Sequence, residues 1–205
     1  MTSELVTFMQ LGFRHITNLG AMDHILFLLA LAAIYRPRDW RNALWVVTAF
    51  TVGHSLTLAL AVTGAMVLPI RLIEFLIPVT IVATCIENII VRDRATAPLK
   101  GRYRPVFAAV FGLVHGAGFA DYLRNLFVDR VALPLFGFNV GIELGQIVVL
   151  IFAAAFLLVA DWIIRRLRAS IAAPSAPGAL RLRVLMVSSI VMVIAARWAV
   201  ERNPW

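Results

Sequence analysis

GFRHITNLGAMDHILFLLAL, residues 12–31, decides how the rest of the chain is read. Its second half is an apolar run, and Asp23 and His24 stand side by side at the mouth of that run, with His15 shortly before them. Ionisable groups inside a bilayer are costly and usually functional. The remaining two histidines, His54 and His115, also lie in apolar runs. The expectation is that the chain gathers these groups into one polar site within a membrane.

Composition supports lipid as the solvent. Charged residues make up 15% of the chain against about 25% in soluble domains, and mean hydropathy is +0.89. No long polar segment is left over for a second domain, so residues 1–205 read as one polytopic helical membrane domain. The net charge of +8 forms no patch that would suit nucleic acid. The basic residues sit in short loops instead, as the positive-inside rule requires. Cys85 is the single cysteine, so neither an intrachain disulfide nor a multi-cysteine metal site is available. Residues 4–13 lack the basic start and cleavage site of a leader. They read as an interfacial helix or an outer extension of the first span.

The fold class is an all-α membrane protein, a bundle of about six spans at residues 17–35, 43–62, 72–91, 105–120, 131–164 and 182–200. A crossing by residues 4–13 makes the count seven. The loops after the first, third and fifth spans carry Arg36, Arg38 and Arg41, then Arg92, Arg94, Lys100, Arg102 and Arg104, then Arg165, Arg166, Arg168, Arg181 and Arg183. The opposite side has Arg14, Arg71, Arg124, Arg130 and Arg202. This asymmetry puts both termini on the outer side.

In that topology His15, Asp23, His24, His54, Glu74, His115, Asn139 and Glu143 share the outer half of the bundle. Asn139, Glu143 and Gln146 fall on one face of the fifth span. Ser55 follows His54 on the second. Thr80, Thr84, Glu87 and Asn88 make a polar strip running inward along the third. Gly112 and Gly116, and Gly137, Gly141 and Gly145, recur at small-xxx-small spacing, so spans four and five are expected to pack together near His115 and Glu143.

Imidazole with carboxylate suits a divalent ion such as nickel or zinc, bound or carried. Two other uses stay open: a proton path through Asp, Glu and His, and a hydrogen-bonded network without metal. A zinc-activated water at the same site would make the chain a metal-dependent intramembrane hydrolase. A non-catalytic membrane scaffold is the third alternative. Ser55 forms no dyad with His54, which points about 100° away from it on a helix, but a pairing with His24 or His115 stays open. No nucleotide-binding loop is present.

GFRHITNLGAMDHILFLLAL, TAFTVGHSLTL (48–58), IEFLIPVTIVATCIEN (73–88), FGLVHGAGFA (111–120), FNVGIELGQ (138–146) and the terminal WAVER, taken in order, resemble the HupE/UreJ family of bacterial membrane proteins. The resemblance covers nearly the whole chain. It implies a small helical bundle in the bacterial inner membrane with a hydrogenase or urease accessory role, and a nickel permease rather than an enzyme. By the same resemblance the ligands are His15, Asp23, His24, His54, His115 and Glu143. Ser55, Glu74, Thr80, Thr84, Glu87, Asn88, Asn139 and Gln146 then lie along the path or behind the ligands. The partners implied are the lipid bilayer, the metal ion, and a second copy or an accessory-complex subunit.

Overall fold

The computed structural model describes residues 2–66, 69–91, 93, 97, 101–119, 131–171 and 178–205. Among these, every regular element is helical: α1 (Thr2–Thr17), α2 (Met22–Ala33), α3 (Trp40–Val62), α4 (Ile70–Val91), α5 (Arg104–Gly118), α6 (Ala132–Ile171) and α7 (Ala179–Glu201). Four helical stretches are long and apolar enough to cross a membrane, over Pro37–Val62, Ile70–Val91, Ala132–Leu167 and Ala179–Glu201. The pair α1–α2 makes a fifth if it is one span bent by 54°.

The expected run over residues 17–35 is therefore divided. Asn18 leaves the helix with an extended backbone (φ −70°, ψ 127°), and its side-chain oxygen accepts from the Gly20 N–H at 2.9 Å. This local turn competes successfully with helix continuation. A 3-10 turn follows at Leu19–Ala21, and α2 restarts at Met22.

Apolar residues both fill the core and cover the outer faces. Outward faces carry Val52 and Leu56 of α3, Ile86 and Ile90 of α4, Ile151 and Phe152 of α6, and Ile190 and Val193 of α7. Within the apolar core lie His24, His54, Asn88, Arg104, His115, Gln146 and Arg183. Helix α5 has only 15 residues, but its exposed side is likewise apolar: Val106, Phe107, Val110 and Leu113. Apolar outer faces with the polar groups kept inside are what a bilayer solvent selects. Cys85 is buried as a packing residue.

Glycines set which helices touch, and here the sequence expectation is corrected. Gly112 and Gly116 do not pack α5 on α6; they pack it on α3. A Cβ at Gly112 would stand 2.1 Å from the Phe50 carbonyl oxygen, and one at Gly116 2.2 Å from that of His54. Gly53 meets Ala109 of α5 in the same way, at 2.0 Å. Gly137, Gly141 and Gly145 pack α6 on α1, against Leu5, Met9 and Ile16, and Gly12 answers them at Phe138. Only an absent Cβ lets these backbones approach so closely. The spacing revealed a tight face but not its partner.

These contacts also fix direction. Leu5, Met9 and Ile16 meet Gly137, Gly141 and Gly145 in order, so α1 and α6 run parallel. Phe50 and His54 meet Gly112 and Gly116 in order, so α3 and α5 are parallel too. Thr80 pairs with His115 and Asn88 with Arg104, so α4 and α5 are antiparallel. Asn88 meets Ser188 while Phe75 meets Trp205, which makes α7 antiparallel to α4.

Candidate metal centre

Each histidine reaches the centre from a different helix. His15 stands in the last turn of α1 and His24 in the first turn of α2, so the bend at Asn18 turns the two rings face to edge, 4.7 Å between centroids. His54 comes from α3, 6.4 Å from His15 and 6.5 Å from His24. His115 comes from α5, 5.4 Å from His24. One ligand atom from each of His15, His24 and His54 lies within 4.8 Å of the others. The glycine-tight α3–α5 contact holds His54 and His115 at one level.

Hydrogen-bond accounting assigns the tautomers. The His24 backbone N–H donates to Asp23 Oδ1 at 2.9 Å, and ring Nδ1 lies 3.0 Å from the same oxygen. Nδ1 therefore carries the proton, and Nε2 is a bare lone pair. The Thr80 hydroxyl donates its one hydrogen to the Ile77 carbonyl at 2.7 Å. At 3.1 Å from that hydroxyl, His115 Nε2 must be the donor, which leaves Nδ1 bare. Among the buried atoms without a hydrogen-bond partner are His24 Nε2, His115 Nδ1, His15 Nε2 and both nitrogens of His54.

A buried polar atom left unpaired costs about 1–3 kcal/mol, and four imidazoles repeat that cost in one place. A divalent cation at the His15–His24–His54 group would relieve part of it, taking bare lone pairs and leaving the His24 N–H to Asp23. A carboxylate behind a ligating imidazole fixes its tautomer and raises its basicity. Asp23 thus stands as the orienting partner of His24. The residues fit a metal of the nickel or zinc type.

Aromatic rings enclose the cluster. Phe119 lies 4.0 Å from His15 and stacks on Phe138. Phe27 and Phe50 form the other wall, 5.4 Å and 5.1 Å from His115. The FNVGIELGQ stretch brings Phe138 and the α1-facing glycines to this level.

Other residues singled out in the sequence stand elsewhere. Glu143 accepts from the Thr48 hydroxyl at 2.7 Å, and Gln146 accepts from Thr51 at 2.7 Å; both belong to the α3–α6 contact. Thr48 is six positions before His54, about 9 Å along α3. Glu74 is exposed on α4. Ser55 donates to the Thr51 carbonyl of its own helix at 2.6 Å. Asn139 has a buried Oδ1 without a partner. Thr84 donates to the Thr80 carbonyl at 2.9 Å.

Glu87 and Asn88 join a second polar layer that the sequence did not reveal. Arg104 is only 4% exposed. Its Nη1 lies 3.1 Å from Glu87 Oε2, and Nη2 donates to Asn88 Oδ1 at 3.0 Å. Tyr103 donates to Glu87 Oε1. Burial, that hydrogen bond and the Glu87 charge push the Tyr103 hydroxyl up to about 12. Asn88 Nδ2 in turn donates to the Ala30 carbonyl of α2 at 2.6 Å. Arg183 is buried as well: it meets Asp161 at 2.5 Å and the carbonyls of Ala33 and Tyr35. Arg104 and Arg183 are thus interior residues, not the loop charges they resemble. The signal was the acid itself, since a carboxylate at Glu87 needs a buried counter-charge.

A bundle with apolar outer faces is the architecture of a multi-pass membrane protein, and its buried histidine cluster is compatible with a metal ion. The chain belongs to the HupE/UreJ family: the family model described as HupE / UreJ protein matches residues 1–202. No curated protein and no solved structure matches it.

Proposed function

We propose that this protein is a secondary carrier of a divalent transition-metal ion, with nickel the expected cargo from its family. The observation that supports this most is the set of bare, buried imidazole nitrogens on four helices, next to two that are already fixed as donors. In this reading α5 is a short crossing, and about six spans leave both termini on the outer side of a bacterial inner membrane. The ion enters at His15, His24, His54 and His115 and moves inward past Thr80 and Thr84.

Below the aromatic wall a cavity of about 20 Å³ is lined by Phe27, Thr84, Glu87, Tyr103 and Arg104. That is room for about one water. Arg104 holds the carboxylate beneath it, so the inward route is closed in this conformation. A descending cation competes with the guanidinium for Glu87, and exchange of one for the other opens the route. Ser55 turns its hydroxyl to the Thr51 carbonyl, so the hydrolase reading rests on a metal-activated water rather than on a serine.

Two measurements test this. Elemental analysis of the purified protein should find about one metal per chain, lost in His24→Ala/His115→Ala. Uptake of labelled nickel into proteoliposomes should fall to background in the same variant. Unchanged uptake would sink the proposal.

A further inference from the structure

Away from the metal centre, a groove of about 380 Å³ runs between the α2–α3 corner and α6. Leu44, Ile147, Ile151, Ala154 and Leu158 line its length. Ile151 and Leu158 are exposed, so the groove opens along the outward, lipid-facing side of α6. Arg183 lines one end, with its guanidinium already engaged by Asp161 and two backbone carbonyls.

The same end opens onto the loop where Arg36, Pro37 and Trp40 form a rim. Arg36 is paired with Asp93 at 2.5 Å. Arg38 and Arg41 are exposed beside it, and the Arg41 guanidinium lies over the Trp40 ring at 5.4 Å. A tryptophan with basic neighbours marks a headgroup level. From Ile147 to Leu158 the groove follows α6 for about 16 Å. That is close to half of a ~30 Å hydrocarbon core, the depth of one leaflet.

We propose that the groove binds one acyl chain of an anionic phospholipid from the leaflet on the basic side, with the phosphate held at Arg38 and Arg41. The apolar walls select a hydrocarbon chain over any polar ligand. Their length selects a single leaflet, and the rim selects negative charge, as basic pockets between membrane helices do. The site is independent of the metal centre and of the transport reading.

The test uses delipidated full-length protein titrated with dioleoylphosphatidylglycerol or dioleoylphosphatidylcholine, read by native mass spectrometry and by melting temperature. Phosphatidylglycerol should leave a retained adduct and raise the Tm, and phosphatidylcholine should do neither to the same extent. Ala154→Trp, which fills the groove from an exposed position, should lose both adduct and Tm shift while keeping the unliganded Tm and the metal content of the parent. Arg38→Gln/Arg41→Gln should keep the groove but remove the preference for phosphatidylglycerol. An adduct that survives in Ala154→Trp overturns the proposal. So does equal retention of both lipids by the parent, or a dimer that Ala154→Trp dissociates without any change in lipid.

Discussion

At the scale of single residues, the centre depends on which nitrogen of each ring holds its proton. Asp23 takes the His24 Nδ1 hydrogen and Thr80 takes the His115 Nε2 hydrogen, so the opposite nitrogens are left as donors of electron pairs. Asp23→Ala frees His24 to adopt either tautomer and to swing. The expected result is metal affinity weaker by about 10–100-fold, with stoichiometry preserved, measured by calorimetric titration of the metal-free protein. An affinity equal to the parent's would remove Asp23 from the site. The sequence made His24 and Asp23 legible because they are polar groups adjoining an apolar run. It could not separate ligand from orienting residue, since both lie at the same depth. Glu143 shows the limit: helical spacing put it on a polar face, but that face meets Thr48 rather than the histidines.

At the scale of elements, two pairs of helices are locked by missing side chains. α3 with α5, and α1 with α6, approach until backbone carbonyls fill the places where Cβ atoms would be. Gly112→Ala should therefore destabilise by about 1–3 kcal/mol, the usual cost of overpacking, and lower the detergent melting temperature. Gly178→Ala, at a position with nothing within 4 Å, serves as the control and should leave it unchanged. Equal melting temperatures in the two variants would contradict the close approach. The sequence showed the glycine rhythm, yet a rhythm carries no address. Partner choice arises from the whole bundle, where α1 continues beyond the bend to lie along α6. The break itself was readable only in part: Asn18 and Gly20 are turn formers, but hydropathy alone joined residues 17–35 into one run.

At the scale of the whole molecule, polar groups occupy two interior layers with aromatic packing between them. The histidines form one, and Glu87, Asn88, Tyr103 and Arg104 form the other. The inner layer carries a buried ion pair, and such pairs are destabilising mainly when one half is removed. Glu87→Gln should cost about 3–5 kcal/mol by stranding the Arg104 charge, while Glu87→Leu/Arg104→Met should regain most of that stability. Chemical unfolding in detergent checks the recovery. Uptake should stay low in the double variant although elemental analysis still finds metal at the histidines. Restored uptake would place the route elsewhere. Hydropathy and charge asymmetry made the helical membrane class legible, because they reflect the solvent. The inner layer stayed hidden because Arg104 and Arg183 stand at helix starts, where a buried arginine and a loop arginine look alike in sequence.

The two glycine-locked pairs each carry part of the histidine cluster, and His24 of α2 stands between them. His15 belongs to the α1–α6 pair, and His54 and His115 belong to the α3–α5 pair. An ion held by His15 together with either of the others is a rivet through the seam. On the proposed function, loading such an ion would draw the two pairs together, and releasing it would let them part. The cargo would thus be the fastener of its own carrier.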